Sequence, residues 1–185
     1  MSGLRIEGYV IVSADGMLAK TDHVMPDELR FEADKAFFSA ALDRAALIVH
    51  GRYSQEEHPN SLRRRRIVLT RTVSSLAAHP ENEKAILWNP AGASFEAACE
   101  FTGVTSGTVA IIGGPSVFDL FMDRYDTFWL SQSDRVWLPG GEPCFGGVPE
   151  CSPQQILASH GLVAGERLTL NAAHDVTVTP WRRTG

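Results

Sequence analysis

Two spacings of apolar residues alternate along the chain. Arg5 to Ser13 (RIEGYVIVS) is rich in β-branched and aromatic residues and predicts a first strand. Asp15-Gly16 ends it and opens a connection to about Asp27, a length that in a compact domain points to a functional or mobile loop. From Leu29 the spacing becomes helical: Phe31, Phe38, Ala41 and Leu42 fall near one face, with Phe37 beside them, until Asp43-Arg44. Ala46 to His50 (ALIVH) is a short apolar run, the form of a strand covered on both faces. Gly51 then starts a turn and a short helix through Glu57, stopped by His58-Pro59-Asn60.

Further strands are predicted at Arg66 to Thr70, Glu83 to Trp88, Thr108 to Ile112 and Asp126 to Ser131. Helices are predicted at Ala93 to Phe101 and Ser116 to Asp123, with a helical turn at Gln154 to Ser159. Pro139 to Pro149 reads as a loop. Leu168-Thr169-Leu170 and Val176 to Thr179 alternate in period two, as an antiparallel pair does. Strands alternating with helices predict an α/β fold with three layers: a mostly parallel central sheet, helices on both faces and a C-terminal antiparallel hairpin. No repeat or linker interrupts the 185 residues, so 1–185 reads as one domain.

Composition narrows the function classes. The net charge is -5 and the pI is near 5.7, which argues against a general nucleic-acid binder. No apolar run approaches a membrane span, and Met1-Ser2-Gly3-Leu4-Arg5 lacks the basic start of a secretory signal. Cys99, Cys144 and Cys151 show no metal-ligand spacing and read as reduced thiols, so a cytoplasmic location is expected. The histidines show no ligand spacing either, so no metal is expected. The chain is compatible with a homodimer.

Candidate chemistry gathers where strands end. In Gly51-Arg52-Tyr53-Ser54 a glycine admits close backbone approach, and Arg52 and Ser54 add donors at the expected helix N-terminus, an arrangement suited to phosphate. A glycine that only makes the turn is the plain alternative. Gly113-Gly114-Pro115-Ser116 repeats the arrangement after a second strand, and ligands of open α/β sheets gather at the carboxyl ends of strands. Thr70-Arg71 offers a hydroxyl and a cation fit for a ribose 2′-phosphate, or else is an exposed loop. Asp34 lies on or beside an apolar helical face, where a carboxylate can bond a heterocycle's N–H edge; an ordinary surface aspartate is the alternative. Arg63 to Arg66 is either a solvated run or holds an anionic substrate tail through one bidentate arginine.

In this order the motifs resemble the dihydrofolate reductase fold family, which includes dihydrofolate reductases and the reductase domain of riboflavin biosynthesis. The resemblance runs roughly from Tyr9 to Trp181 and is best at Ala33-Asp34-Lys35-Ala36-Phe37-Phe38. It implies that Asp34 is the proton-relaying acid, that Phe38 packs on a pterin, and that Arg64 grips a substrate carboxylate. It places Ser131 where the family has threonine beside the acid. Gly51, Arg52 and Ser54 match the family's Gly-Arg-x-Thr turn. Gly113, Gly114, Ser116 and Val117 match its second cofactor turn, and Thr70 and Arg71 its 2′-phosphate contacts. The family's properties imply an NADPH-dependent reductase of a pterin-like substrate such as dihydrofolate.

Val12 to Ala19 looks more like the Ser-x-Asp-Gly-x-x-Ala opening of the riboflavin-type reductases. Met25-Pro26 is followed by Asp27 where dihydrofolate reductases have Pro-Trp, and Pro115 stands at the third glycine. A pyrimidine reductase of the riboflavin type is therefore the alternative substrate reading. A nucleotide-binding module without catalysis is another, and an RNA-binding role for the arginine run a third. The expected partner is a small heterocycle, with neither nucleic acid nor membrane.

Overall fold

The computed structural model describes residues 3–185; Met1 and Ser2, the first residues of the opening read for a signal, lie outside the described residues. The chain runs β1 (Gly3–Val12), β2 (Met17–Ala19), α1 (Glu32–Arg44), β3 (Leu47–Gly51), β4 (Arg66–Leu69), β5 (Leu76–Ala78), β6 (Ala85–Trp88) and α2 (Phe95–Thr102). It continues with β7 (Ser106–Ile111), α3 (Pro115–Leu120), β8 (Thr127–Ser133), β9 (Glu142–Pro143), α4 (Pro153–Ser159), β10 (Leu162–Ala164), β11 (Leu168–Asn171) and β12 (Val176–Arg183).

One large sheet has the order β10-β12-β8-β1-β7-β3-β4-β6-β5, with β11 pairing on β12. From β8 to β6 every neighbouring pair is parallel. The C-terminal strands and β5 add antiparallel edges, and Leu168 pairs with Val178 as the period-two pattern predicts. Successive side chains of a strand point to opposite faces. Leu47, Val49, Val109 and Ile111 accordingly join the core under α2, α3 and α4, where Phe95, Phe118 and Leu157 pack. Ile48, Ala110 and Tyr9 face the other way and pack against Ala41 and Leu42 of α1. The three layers expected from the sequence are present.

One local expectation needs correction, and the structure adds two features that the sequence did not show. No helix follows Gly51: residues 52–60 take an irregular path, and a 3-10 turn forms only at Ser61–Arg63. Arg52-Tyr53-Ser54-Gln55-Glu56-Glu57 is polar all round and too short to hold a helix by propensity. Pro59 also disfavours helical geometry at His58. The connection after Asp15 is tied down at its start, because β2 pairs with β9 from the Pro/Gly-rich loop. Strands β5 and β10 were not foreseen; Leu-Ala-Ala and Leu-Val-Ala are too short for period two to register.

The order of the strands creates the crevice. From β1 the chain moves to β3, then outward to β4 and β6. It returns through β7 between β1 and β3 before placing β8 beyond β1. Strand direction from the centre reverses there, and a doubly wound sheet opens its ligand crevice at such a point. Gly113 and Gly114 lie just past β7.

Candidate active site

The registers align the predicted site residues in one row. Ile11 of β1 pairs with Ser131 of β8, and Gly8 of β1 pairs with Ile111 of β7. Continuing that register past β7 puts Gly114 level with Ser131. Val49 pairs with Ile111, and Gly51 with Leu69, so Arg52 and Thr70 fall at the same level. Ser131, Gly114, Arg52 and Thr70 thus mark the carboxyl edge of the sheet at adjacent strands, about 5 Å apart per strand.

Asp34 enters this edge from the first turn of α1. Burial pushes its carboxyl up to about 6, and the Ser131 hydroxyl pulls the other way; no charged partner acts on it. Ser131 is only 3% exposed and lies on the α1 face of β8, like Trp129 two residues before it. Aromatic rings line the same face: Phe38 meets Tyr9 edge-on at 6.3 Å, and Phe37 meets Trp129 at 5.5 Å. Phe38 is half-buried, with one side on Tyr9. A carboxyl that ionises near pH 6 in such surroundings can donate a proton to a ring nitrogen and then bond the resulting N–H.

The two glycine turns touch. The Gly51 N–H donates to the Gly113 carbonyl at 2.7 Å, and a Cβ on Gly114 would lie 3.4 Å from Ser54 Oγ. Gly113 has φ 103°, a left-handed conformation that favours glycine, and a Cβ there would also meet the Phe118 ring at 2.9 Å. Ser116 is exposed on α3. Val117 is buried, with its side chain beneath Gly51 and its N–H bonded to the Gly114 carbonyl, so it supports the turn from below. The paired helix N-termini expected to cradle phosphate reduce to one, at α3, because the helix after Gly51 is missing.

Arg52 and Thr70 belong to a cavity of about 400 Å3, lined also by His50, Gln55, Val68, Thr72, His79, Pro80 and Leu87. Arg52 is exposed, donates to the Tyr53 hydroxyl at 2.8 Å and lies 5.0 Å from its ring. Thr70 Oγ1 accepts from the Thr72 N–H at 3.1 Å and bonds Thr72 Oγ1 at 2.9 Å. Arg71, just beyond, is exposed, and no ion pair among the described residues engages it.

Arg64 differs most from expectation. Its side chain is 6% exposed, and protein groups hold its guanidinium. Nη2 donates to Asp43 Oδ1 at 2.6 Å and to Ser39 Oγ at 3.1 Å. Nε donates to the same Asp43 oxygen, and Nη1 to Glu56 Oε1 at 3.1 Å. The arginine expected to grip a substrate carboxylate is occupied by two protein carboxylates.

The run Arg63 to Arg66 alternates in exposure, as a strand entry does: 64 and 66 point inward, 63 and 65 outward. Arg66 is fully buried and grips Glu56 with both Nη atoms, at 2.9 and 2.7 Å. Its Nη1 also reaches His50 Nε2 at 2.9 Å. Arginine only donates, so Nε2 accepts, and Nδ1 carries the proton that bonds the Gly51 carbonyl at 2.7 Å. Burial lowers the His50 pKa to about 4, so the ring is neutral. Sequence reasoning gave Glu56 and His50 no role, and considered Arg66 only as a member of the arginine run. The usable signal was an arginine inside an apolar strand, which demands a buried acid nearby.

Among the described residues no cluster of ligating side chains could hold a metal, and no helix is long and apolar enough to cross a membrane. No family model and no curated protein matches the sequence. Solved structures do match. A protein assigned to riboflavin biosynthesis from Shewanella sp. PV-4 aligns with TM-score 0.68 and 19% identity, over 98% of this chain and 99% of that one. Dihydrofolate reductase from Enterococcus faecalis, complexed with NADP(H) and RAB-propyl, aligns with TM-score 0.64 and 15% identity over 98% and 97%. The diaminohydroxyphosphoribosylaminopyrimidine deaminase/5-amino-6-(5-phosphoribosylamino)uracil reductase of Thermotoga maritima aligns with TM-score 0.61 and 14% identity. That match covers 97% of this chain and 56% of the Thermotoga protein. With its sheet order, its touching glycine turns and these three likenesses, the chain has the dihydrofolate reductase-like fold.

Proposed function

We propose that the protein is an NADPH-dependent reductase that passes hydride to a small pterin-like heterocycle held beside Asp34. The observation that carries this reading is the lone, desolvated carboxyl of Asp34, level with two glycine turns at the switch point of the sheet. NADPH would lie along that edge. Gly51, Ser54, Gly113, Gly114 and Ser116 would receive its phosphates on backbone and hydroxyl donors, with Val117 supporting them from beneath. Arg52, Thr70 and Arg71 would hold the 2′-phosphate end. The coenzyme supplies the hydride; Asp34 supplies the proton that makes the accepting carbon more electrophilic. Ser131 would orient the Asp34 carboxyl, and Phe38 would flank the bound ring. The coenzyme-bound Enterococcus neighbour supports the choice of nucleotide by likeness of fold.

A second reading, a pyrimidine reductase of the riboflavin type, is favoured by the Ser-x-Asp-Gly opening. Ser13 Oγ donates to Asp15 Oδ1 at 2.6 Å, and the same oxygen accepts the Leu138 N–H at 3.0 Å. Asp15 thus joins two loops, a structural job for that motif. The test is NADPH oxidation with dihydrofolate, dihydrobiopterin and the aminouracil ribotide side by side. Oxidation with a pteridine supports the first reading, and oxidation with the ribotide alone replaces it with the second. NADPH binding with no oxidation by any of them would identify a silent nucleotide-binding module.

A further inference from the structure

Resting on that reading, we infer that His50 is a positioning residue for the coenzyme: its imidazole holds the Gly51 carbonyl inside the protein, so that the turn after β3 offers the pyrophosphate N–H groups in place of that carbonyl. The ring is 1% exposed, and both of its nitrogens are taken. Nε2 accepts from Arg66 Nη1 at 2.9 Å, so Nδ1 carries the proton and donates to the Gly51 carbonyl at 2.7 Å. The Ser54 N–H donates to the same oxygen at 3.1 Å. Two donors thus fill both lone pairs of one carbonyl, where the strand gives way to the first glycine turn.

A carbonyl oxygen facing a phosphate sets one negative charge against another, whereas successive N–H groups attract it. The Gly51–Arg52 peptide is trans, and in a trans peptide the C=O and the N–H point in opposite directions. Drawing the carbonyl to the imidazole therefore turns the Arg52 N–H away from it. The imidazole lies on the α1 face of β3, like Ile48 two residues before it. Gly51 lies against the other face, where a Cβ would meet Val117 and the Gly114 nitrogen. Among the described residues no carbonyl accepts the N–H of Arg52 or Tyr53. The Gly51 N–H reaches the Gly113 carbonyl at 2.7 Å, so one ring sets the first turn and, through it, the second. Behind the ring, Glu56 holds Arg66 at 2.9 and 2.7 Å, and Arg66 fixes the tautomer. With neither nitrogen free, His50 acts on a ligand only through Gly51.

The experiment measures the affinity of wild type, His50→Asn and His50→Gln for two probes: NADPH, and adenosine 2′-phosphate, which lacks the pyrophosphate. The Asn amide reaches the place of Nδ1 and keeps a donor for Gly51. The Gln amide reaches the place of Nε2 and keeps only the partner of Arg66. His50→Asn should bind NADPH within about threefold of wild type. His50→Gln should weaken it about tenfold, the worth of one carbonyl left without its donor, and leave adenosine 2′-phosphate within about twofold. Nitrogen NMR of the wild-type histidines, with His50 assigned by its loss in the variants, should show its proton on Nδ1 at pH 7. That resonance should move with NADPH and not with adenosine 2′-phosphate. Equal NADPH affinities in the two variants, equal loss of both probes in His50→Gln, or a wild-type proton on Nε2 would each overturn the inference. Following NADPH oxidation by the heterocycles in the same samples separates the two readings. The expected binding pattern without oxidation ends the reductase reading and leaves this one standing. Oxidation by wild type with equal NADPH affinities in the two variants does the reverse, and a wild type that binds no NADPH ends both.

Discussion

Asp34 and Glu56 are both desolvated carboxylates on the α1 side of the same sheet, and their surroundings push them in opposite directions. At Asp34 burial acts with no cation to oppose it, and only the Ser131 hydroxyl offsets it, so the proton is held up to about pH 6. At Glu56 burial also acts, but the hydrogen bonds and charges of Arg66 and Arg64 outweigh it, and the carboxyl stays below its ordinary value. A protein that can surround one acid with two arginines leaves the other without any. The difference separates architecture from chemistry: Glu56 fixes the irregular segment that bears Arg52 and Ser54, and Asp34 stays free to exchange a proton.

The sharpest way to break the comparison is Asp34→Asn. Turnover should fall about 10²- to 10⁴-fold, the range for a lost general acid, with the NADPH dissociation constant unchanged within about threefold. Equal loss of both would mean that the side chain only shapes the fold. Next in size is Glu56→Ala, which leaves two buried guanidinium groups without their shared acid. Urea unfolding should show a loss of about 3–5 kcal/mol, and a loss below about 1 kcal/mol would remove the architectural role.

The third test uses the opposite signs of the two acids. Folded Asp34 keeps its proton to about pH 6, and the unfolded chain releases it near 3.8. Its contribution to stability therefore falls as pH rises through that window and stays lost above it. Asp34→Asn should remove this slope and stabilise the protein at pH 7 by about 3 kcal/mol at most. Glu56 has the reverse sign: its contribution is present above the ordinary value of 4.5 and is lost as pH falls below it. The smallest effect is expected at the exposed Arg71. Arg71→Ala should weaken NADPH about tenfold and leave NADH within about twofold; an unchanged ratio would remove it from the nucleotide end.

What could be read in the sequence follows the same division. Asp34 was legible because an acid beside Phe37, Phe38, Ala41 and Leu42 breaks a helical period. Gly113-Gly114 was legible because paired glycines follow an apolar strand. The layers followed from strands alternating with helices, and the closing hairpin from period two. The segment 52–60 was not legible, since its path is fixed by Glu56 reaching Arg64 and Arg66, partners that belong to the next strand entry. The partners of Arg64 were not legible for the same reason: a run of four arginines does not disclose that Asp43, on the preceding helix, bonds one of them. Strands β5 and β10 exist through their pairing with Trp88 and Arg183 and not through their own residues.

The central claim is that Asp34 is a carboxyl without a charged partner, whose burial holds its pKa at about 6, well above the ordinary carboxylate value. Carbon NMR of the side-chain carboxyls across pH 3 to 8, with Asp34 assigned by its loss in Asp34→Asn, tests this most directly. The account predicts a titration centred at about 6. A titration near the ordinary 3.8, complete before pH 5, would contradict it.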